Sequence, residues 1–188
     1  MLAMLFLLGA AIALNAAAGS WRLAAAGAVL LAAAAGTTFP DIDQLLPLDH
    51  RSALTHSILP AALACLWERG RAVAAGLALG IGLHLSADLF PEAMRGFATV
   101  KLPLAGSIGW QASYVWIGVN AFACLTLGAL LLGQLLGPRL SLATLGGVAL
   151  LGIAYLFTVD GGWWALAMFG ATGWLALRGR PDSSLRGA

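Results

Sequence analysis

The sequence predicts an all-α, integral membrane bundle of about six to seven transmembrane or membrane-embedded helices, built as one domain over residues 1–188. Three observations carry this. The chain is 61% hydrophobic and only 10% charged, whereas ordinary soluble domains carry about 25% charged residues. Its mean hydropathy is +0.90. Its apolar residues fall in long runs broken by short turns of Gly, Pro and Arg, and the polar stretches are too short to fold as a separate water-soluble domain.

Residues 2–17 and 21–35 are Ala/Leu runs separated by Gly19, Ser20, Trp21 and Arg22, the pattern of a helical hairpin. Both fall short of the ~20 residues a helix needs to cross the hydrocarbon core. Such helices thin the bilayer, extend into their flanks or pack inside the bundle. No Lys or Arg precedes Arg22, so the first run lacks the basic start of a signal peptide and reads as a retained helix. Pro40 ends the second run. After a polar segment, Thr55 and Ser57 are candidate caps for a third helix over about 56–68, with His56 in or near its first turn. The turn at 68–71 closes it. The fourth helix, about 72–90, carries Gly76 and Gly80 at the spacing that lets membrane helices approach closely, and it stops before Pro91. Three more apolar runs follow at about 109–136, 140–158 and 162–177.

Basic residues set the expected orientation. With the short basic tail at 178–188 in the cytoplasm, Arg22, Arg69, Arg71, Arg139, Arg178, Arg180 and Arg186 lie inside, and only Arg51, Arg95 and Lys101 lie outside. The segment 36–56, the end of the fourth helix and the 91–107 loop then share the outer face. The formal net charge of +2 is scattered, which excludes the basic stripe of a nucleic-acid binder. Cys65 and Cys124 sit in apolar runs, where a thiol packs as a small hydrophobe.

Polar chemistry is concentrated in two segments, 39–57 and 80–91. The stretch FPDIDQLLPLDHRSALTHS holds three of the eight acidic residues and two of the three histidines. Asp41 and Asp43 alone fit a turn, and His50 and His56 alone fit interfacial histidines. In the fourth helix, His84 and Asp88 are four apart and share a face. Ionisable groups in an apolar span are rare and face a cavity or the bundle interior. Since all these groups converge on one side of one membrane, the sequence predicts a shared site for one or two divalent ions with ligands Asp41, Asp43, His50, His56, His84 and Asp88. Asp43 and His56 are the candidate catalytic residues. Mixed nitrogen and oxygen donors suit zinc first, then manganese or iron, and the lack of Cys in the set argues against a closed structural zinc site. Arg51, Arg95 and Lys101 are candidate phosphate-binding cations. Asp160, in a turn expected on the same face, is the candidate hydrogen-bond partner of a ligand histidine or of Arg51.

At these residues the chain resembles the YdjM-type family of inner-membrane metal-dependent hydrolases. The matching stretches are P-D-I-D at 40–43, H-R-S-A-L-T-H-S at 50–57 and H-L-S-A-D at 84–88, an ordered set covering about the first half of the chain. That family is distantly similar to zinc-dependent phospholipase C and the single-strand nucleases. The resemblance implies metal ligands at Asp41, Asp43, His50, His56, His84 and Asp88, with Arg51 beside them. Relatives often carry a further histidine near the N-terminus; here none precedes His50. The expected function is hydrolysis of a lipid-linked phosphoester at the outer face of an inner membrane. The alternatives are ion or metal transport through the same groups and a structural subunit stapled by a metal.

Overall fold

A computed structural model describes residues 1–89, 94–159 and 164–178. The chain is all-α, with seven helices among the described residues: α1 Leu2–Ala18, α2 Arg22–Gly36, α3 Leu59–Cys65, α4 Arg71–Asp88, α5 Trp110–Leu136, α6 Pro138–Leu156 and α7 Trp164–Arg178. A two-residue antiparallel hairpin, β1 Lys101–Leu102 with β2 Gly106–Ser107, lies in the loop before α5.

Every residue of α4 from Ala72 to Ala87 is buried. A helix that is apolar on all sides is stable only where neighbours surround it, and α2, α5, α3, α7, α1 and α6 all contact α4. The closest seam is with α2. A Cβ added at Gly76 would lie 2.3 Å from the Val29 carbonyl oxygen, and one at Gly80 would lie 2.1 Å from that of Ala33. The absence of side chains there brings the two backbones into contact, as the small-residue spacing predicted. On a neighbouring face of α4, Gly128 of α5 packs against Leu79 and the Ala75 carbonyl.

Three segments are long and apolar enough to cross a membrane: Glu68–Asp88, Trp110–Leu136 and Pro138–Leu156. The helices Leu2–Ala18 and Arg22–Gly36 and the Ala165–Leu175 part of α7 are apolar but shorter. Large apolar side chains are exposed along the outer surfaces, among them Phe6, Val115, Val119, Phe122 and Leu150.

The third helix differs most from expectation. It begins at Leu59, not near 56, and spans seven residues. The reason lies in the residues before it. Ser52 and Thr55 give their hydrogen-bonding groups to the Asp43 carboxylate, so the 52–57 stretch is wound around that side chain and not into a helical turn. His56 therefore precedes α3 by three residues. Tryptophan and asparagine side chains of α5 hold this loop in place: Trp116 Nε1 donates to the His56 carbonyl at 2.9 Å, and the Ile58 amide donates to Asn120 Oδ1 at 2.9 Å.

Candidate metal centre

The site is assembled from a short helical turn, a wound loop and the end of α4. Pro40 opens a 3-10 turn over Pro40–Leu45 that carries Asp41 and Asp43. Asp43 is fully buried. Its Oδ2 accepts the Ser52 amide at 2.9 Å and the Thr55 hydroxyl at 3.1 Å, and lies 3.2 Å from His56 Nδ1. Burial alone would raise the Asp43 pKa, but the hydrogen bonds from His56, Ser52 and Thr55 outweigh it and hold the carboxyl below its ordinary value. Burial pushes the His56 imidazole below its ordinary value, against the pull of Asp43. The neutral ring donates Nδ1–H to Asp43, which leaves the Nε2 lone pair bare.

His84 reaches the same place from α4. Its Nδ1 lies 2.8 Å from the Thr37 carbonyl oxygen at the end of α2. A carbonyl only accepts, so Nδ1 carries a proton, and in the neutral ring Nε2 is the nitrogen left free to bind an ion. One turn further along α4, Asp88 divides its two oxygens between two tasks. Oδ1 accepts Arg51 Nη2 at 2.8 Å. Oδ2 lies 3.5 Å from His56 Nε2 and 3.6 Å from His84 Nε2.

These three atoms, His56 Nε2, His84 Nε2 and Asp88 Oδ2, are buried and have no hydrogen-bond partner among the described residues. Buried polar atoms are almost always satisfied, so three orphans facing one another need a cause. Their separations are long for hydrogen bonds. The two separations from Asp88 Oδ2 fall at the upper end of the ~3.3–3.6 Å edge of a tetrahedron whose centre binds ligands at about 2.0–2.2 Å. Each histidine presents one nitrogen while its other ring nitrogen is fixed by a carboxylate or a carbonyl, the arrangement that orients metal-binding imidazoles. Asp41 completes the set from the solvent side: it offers an oxygen that groups with nitrogens of His56 and His84, all within 4.8 Å of one another, and its side chain is 40% exposed. The residues fit a divalent cation held by two imidazoles and one or two carboxylates.

No family model, curated protein or solved structure matches the chain.

The structure brings Asp41, Asp43, His56, His84 and Asp88 together. Asp43 enters chiefly through Oδ2, as the group that orients His56; its Oδ1 is buried without a hydrogen-bond partner among the described residues. His50 stands at the edge. Its Nδ1 is 4.0 Å from Asp43 Oδ1 and 3.4 Å from Gln44 Nε2, and its ring stacks on Phe97 at 4.4 Å between centroids.

Two of the three expected phosphate-binding cations, Arg51 and Lys101, are engaged by protein acceptors. Arg51 is 8% exposed. It spends Nη2 on Asp88 and Nη1 on the Ala98 carbonyl at 2.6 Å. Its backbone takes the left-handed value φ 58, a conformation unusual for a non-glycine residue. Pairing of the 51–53 backbone with Lys101 holds that conformation. Lys101 directs Nζ at three carbonyls, those of His50, Phe97 and Thr99, at 2.7–2.9 Å, so its protons are already committed. Arg95 is exposed on the loop after α4. Asp160 lies outside the described residues.

Sequence reasoning missed two participants. The Thr37 carbonyl carries no sequence signal, since any residue supplies one. Tyr155 of α6 places its hydroxyl 2.9 Å from His84 Nδ1 and its ring alongside the imidazole. Its only signal is a phenol in an apolar run, near the end of a helix expected on the outer face.

Proposed function

We propose that the chain is a membrane-embedded, metal-dependent hydrolase acting on a lipid-linked phosphoester, such as a phospholipid or lipid phosphate. The observation that carries this reading is the set of three buried, unpartnered ligand atoms on His56, His84 and Asp88. The ordered resemblance to inner-membrane metal-dependent hydrolases at residues 40–43, 50–57 and 84–88 supports it. So does the wealth of apolar outer surface, which suits a bundle of six to seven membrane-embedded helices with its polar site at one end. The orientation that satisfies the positive-inside rule puts that end on the outer face of an inner membrane.

In this reading His56, His84, Asp88 and Asp41 hold the ion, zinc first and manganese or iron next. A divalent ion held there would lower the pKa of a bound water and polarise a phosphoryl oxygen. The protein's own groups do the rest. Asp43 fixes the tautomer and orientation of His56, and Arg51 fixes Asp88 so that only Oδ2 faces the site. His50, at the edge of the cluster, and the buried Asp43 Oδ1 4.0 Å from it are the groups able to move a proton during attack by water. A lipid substrate is favoured because a site at the end of a membrane bundle receives a headgroup while the acyl chains stay in the hydrocarbon.

Transport through the same groups fits less well. Along α4 there is no polar side chain between Arg71 and His84, whereas a translocation route needs polar residues at several depths.

The test is hydrolysis by detergent-purified protein, stripped with chelator and reloaded with zinc or manganese, across a panel of phospholipids and lipid phosphates. Metal-dependent release of phosphate or headgroup that Asp88→Ala abolishes is the expected result. Stoichiometric metal with no hydrolysis on the whole panel would leave the metal as a structural staple and sink the hydrolase reading.

A further inference from the structure

We propose that the Tyr155 hydroxyl is an oxyanion-binding group of this site, donating its proton to a phosphate-type oxygen bound beside the His56, His84 and Asp88 cluster. The proposal deepens the hydrolase reading and rests on it.

The argument is one of proton accounting. His84 Nδ1 has two oxygen neighbours, the Thr37 carbonyl at 2.8 Å and the Tyr155 hydroxyl at 2.9 Å. The carbonyl cannot donate, so Nδ1 carries the hydrogen. The phenol therefore meets an N–H and serves there as an acceptor. Its own proton is left over, and no acceptor takes it among the described residues. A half-buried hydroxyl with an unspent proton is a donor awaiting a partner.

Position decides what that partner is. The phenol approaches His84 from its Nδ1 side, where Asp41 Oδ2 lies 3.9 Å from the same nitrogen, so it sits at the partly exposed edge of the cluster beside Asp41. Its ring runs alongside the His84 imidazole, with centroids 5.9 Å apart and planes inclined by 30°, which fixes its direction. Lys101 directs its ammonium at three carbonyls, and Arg51 spends Nη1 and Nη2 on Ala98 and Asp88, leaving only its buried Nε without a partner among the described residues. Tyr155 thus supplies a neutral donor where the Lys101 ammonium and the terminal nitrogens of Arg51 are already engaged. Such a group recognises an oxyanion without adding charge and is worth more to a charged acceptor than to a neutral one.

The experiment compares wild type with Tyr155→Phe, which keeps the ring and removes only the hydroxyl. Zinc affinity of the chelator-stripped proteins is measured first by calorimetry in detergent. Binding of inorganic phosphate and of a short-chain phosphatidic acid to the zinc-loaded proteins is measured next. The expected result is similar zinc affinity with phosphate binding weakened about tenfold or more. Weakening with both probes assigns the hydroxyl to the phosphate oxygens, and weakening with the lipid phosphate alone assigns it to a lipid headgroup. Unchanged binding of both probes overturns the proposal. Loss of zinc from Tyr155→Phe also overturns it, because the phenol would then be a prop for His84. A wild-type protein that binds no zinc rejects the metal reading itself and this inference with it.

Discussion

Along α4, residues 76–80 and residues 84–88 are separated by about one turn of helix and are built on opposite principles. At Gly76 and Gly80 nothing polar is buried except backbone already bonded within helices, and the contact with α2 is so close that a single Cβ would strike a carbonyl at 2.1–2.3 Å. At His84 and Asp88 the same helix ends in side-chain atoms that the surrounding protein leaves unpartnered. One stretch spends all its interaction potential on packing. The other keeps some unspent, and it can do so because the first stretch fixes where α2, with Thr37 at its end, sits relative to α4. Unsatisfied polar atoms cost stability, and they persist where tight packing nearby over-determines the backbone.

The seam should be the more fragile of the two. Gly80→Leu forces side-chain atoms into the Ala33 carbonyl and is expected to destabilise the fold by more than ~4 kcal/mol, the range reserved for gross steric disruption. Loss of a monodisperse species in detergent and of cooperative thermal unfolding is the readout. A folded Gly80→Leu protein that still binds zinc would show that the seam does not position the site.

Arg51→Ala probes the other end. It leaves Asp88 Oδ1 without its partner and frees the carboxylate to rotate, so zinc affinity should fall by about 10–100-fold, the usual effect of removing a group that orients a ligand. Calorimetry checks it. Unchanged zinc affinity with weakened phosphate binding would return Arg51 to the substrate-binding role that its sequence position suggested.

A smaller effect concerns pH. Asp43 and His56 both titrate below their ordinary values of 3.8 and 6.5 in the folded chain, so the unfolded chain takes up protons more readily. The stability they contribute is fully present above pH 6.5 and is lost as pH falls, His56 acting first and Asp43 only below 3.8. The melting temperature of chelator-treated protein should therefore fall relative to that of His56→Ala between pH 7 and 5. A wild-type melting temperature that does not fall relative to His56→Ala over this range would contradict the buried, neutral His56.

The smallest effect is expected at Lys101, whose ammonium is committed to three carbonyls. Lys101→Gln should loosen the hairpin beside the site, visible as faster amide exchange at residues 99–107, without weakening phosphate binding. Loss of phosphate binding would mean that the ammonium leaves those carbonyls for substrate.

Much of this was legible in the sequence because it is local. Apolar runs separated by Gly, Pro and Arg turns mark seven helices, and six of them begin and end within about two residues of the expected positions. The four-residue spacing of His84 and Asp88 is a property of any helix. The convergence of residues 39–57 on that helix end followed from counting crossings. What stayed hidden depends on partners distant in sequence. The third helix is short because the Asp43 carboxylate competes for Ser52 and Thr55. Arg51 is occupied because Ala98 and Asp88, remote in the chain, meet its guanidinium. Tyr155 joins the site across 71 positions of sequence. None of these pairings has a spacing that periodicity reveals.

The most direct test of the central claim is the position of a bound ion. Chelator-stripped protein reloaded with zinc and crystallised should give an anomalous peak at about 2.0–2.2 Å from His56 Nε2, His84 Nε2 and Asp88 Oδ2, with Asp41 as the further carboxylate, and His84→Ala should lose it. Absence of an anomalous peak at full zinc loading, or a peak bounded by other side chains and unaffected by His84→Ala, would contradict the account.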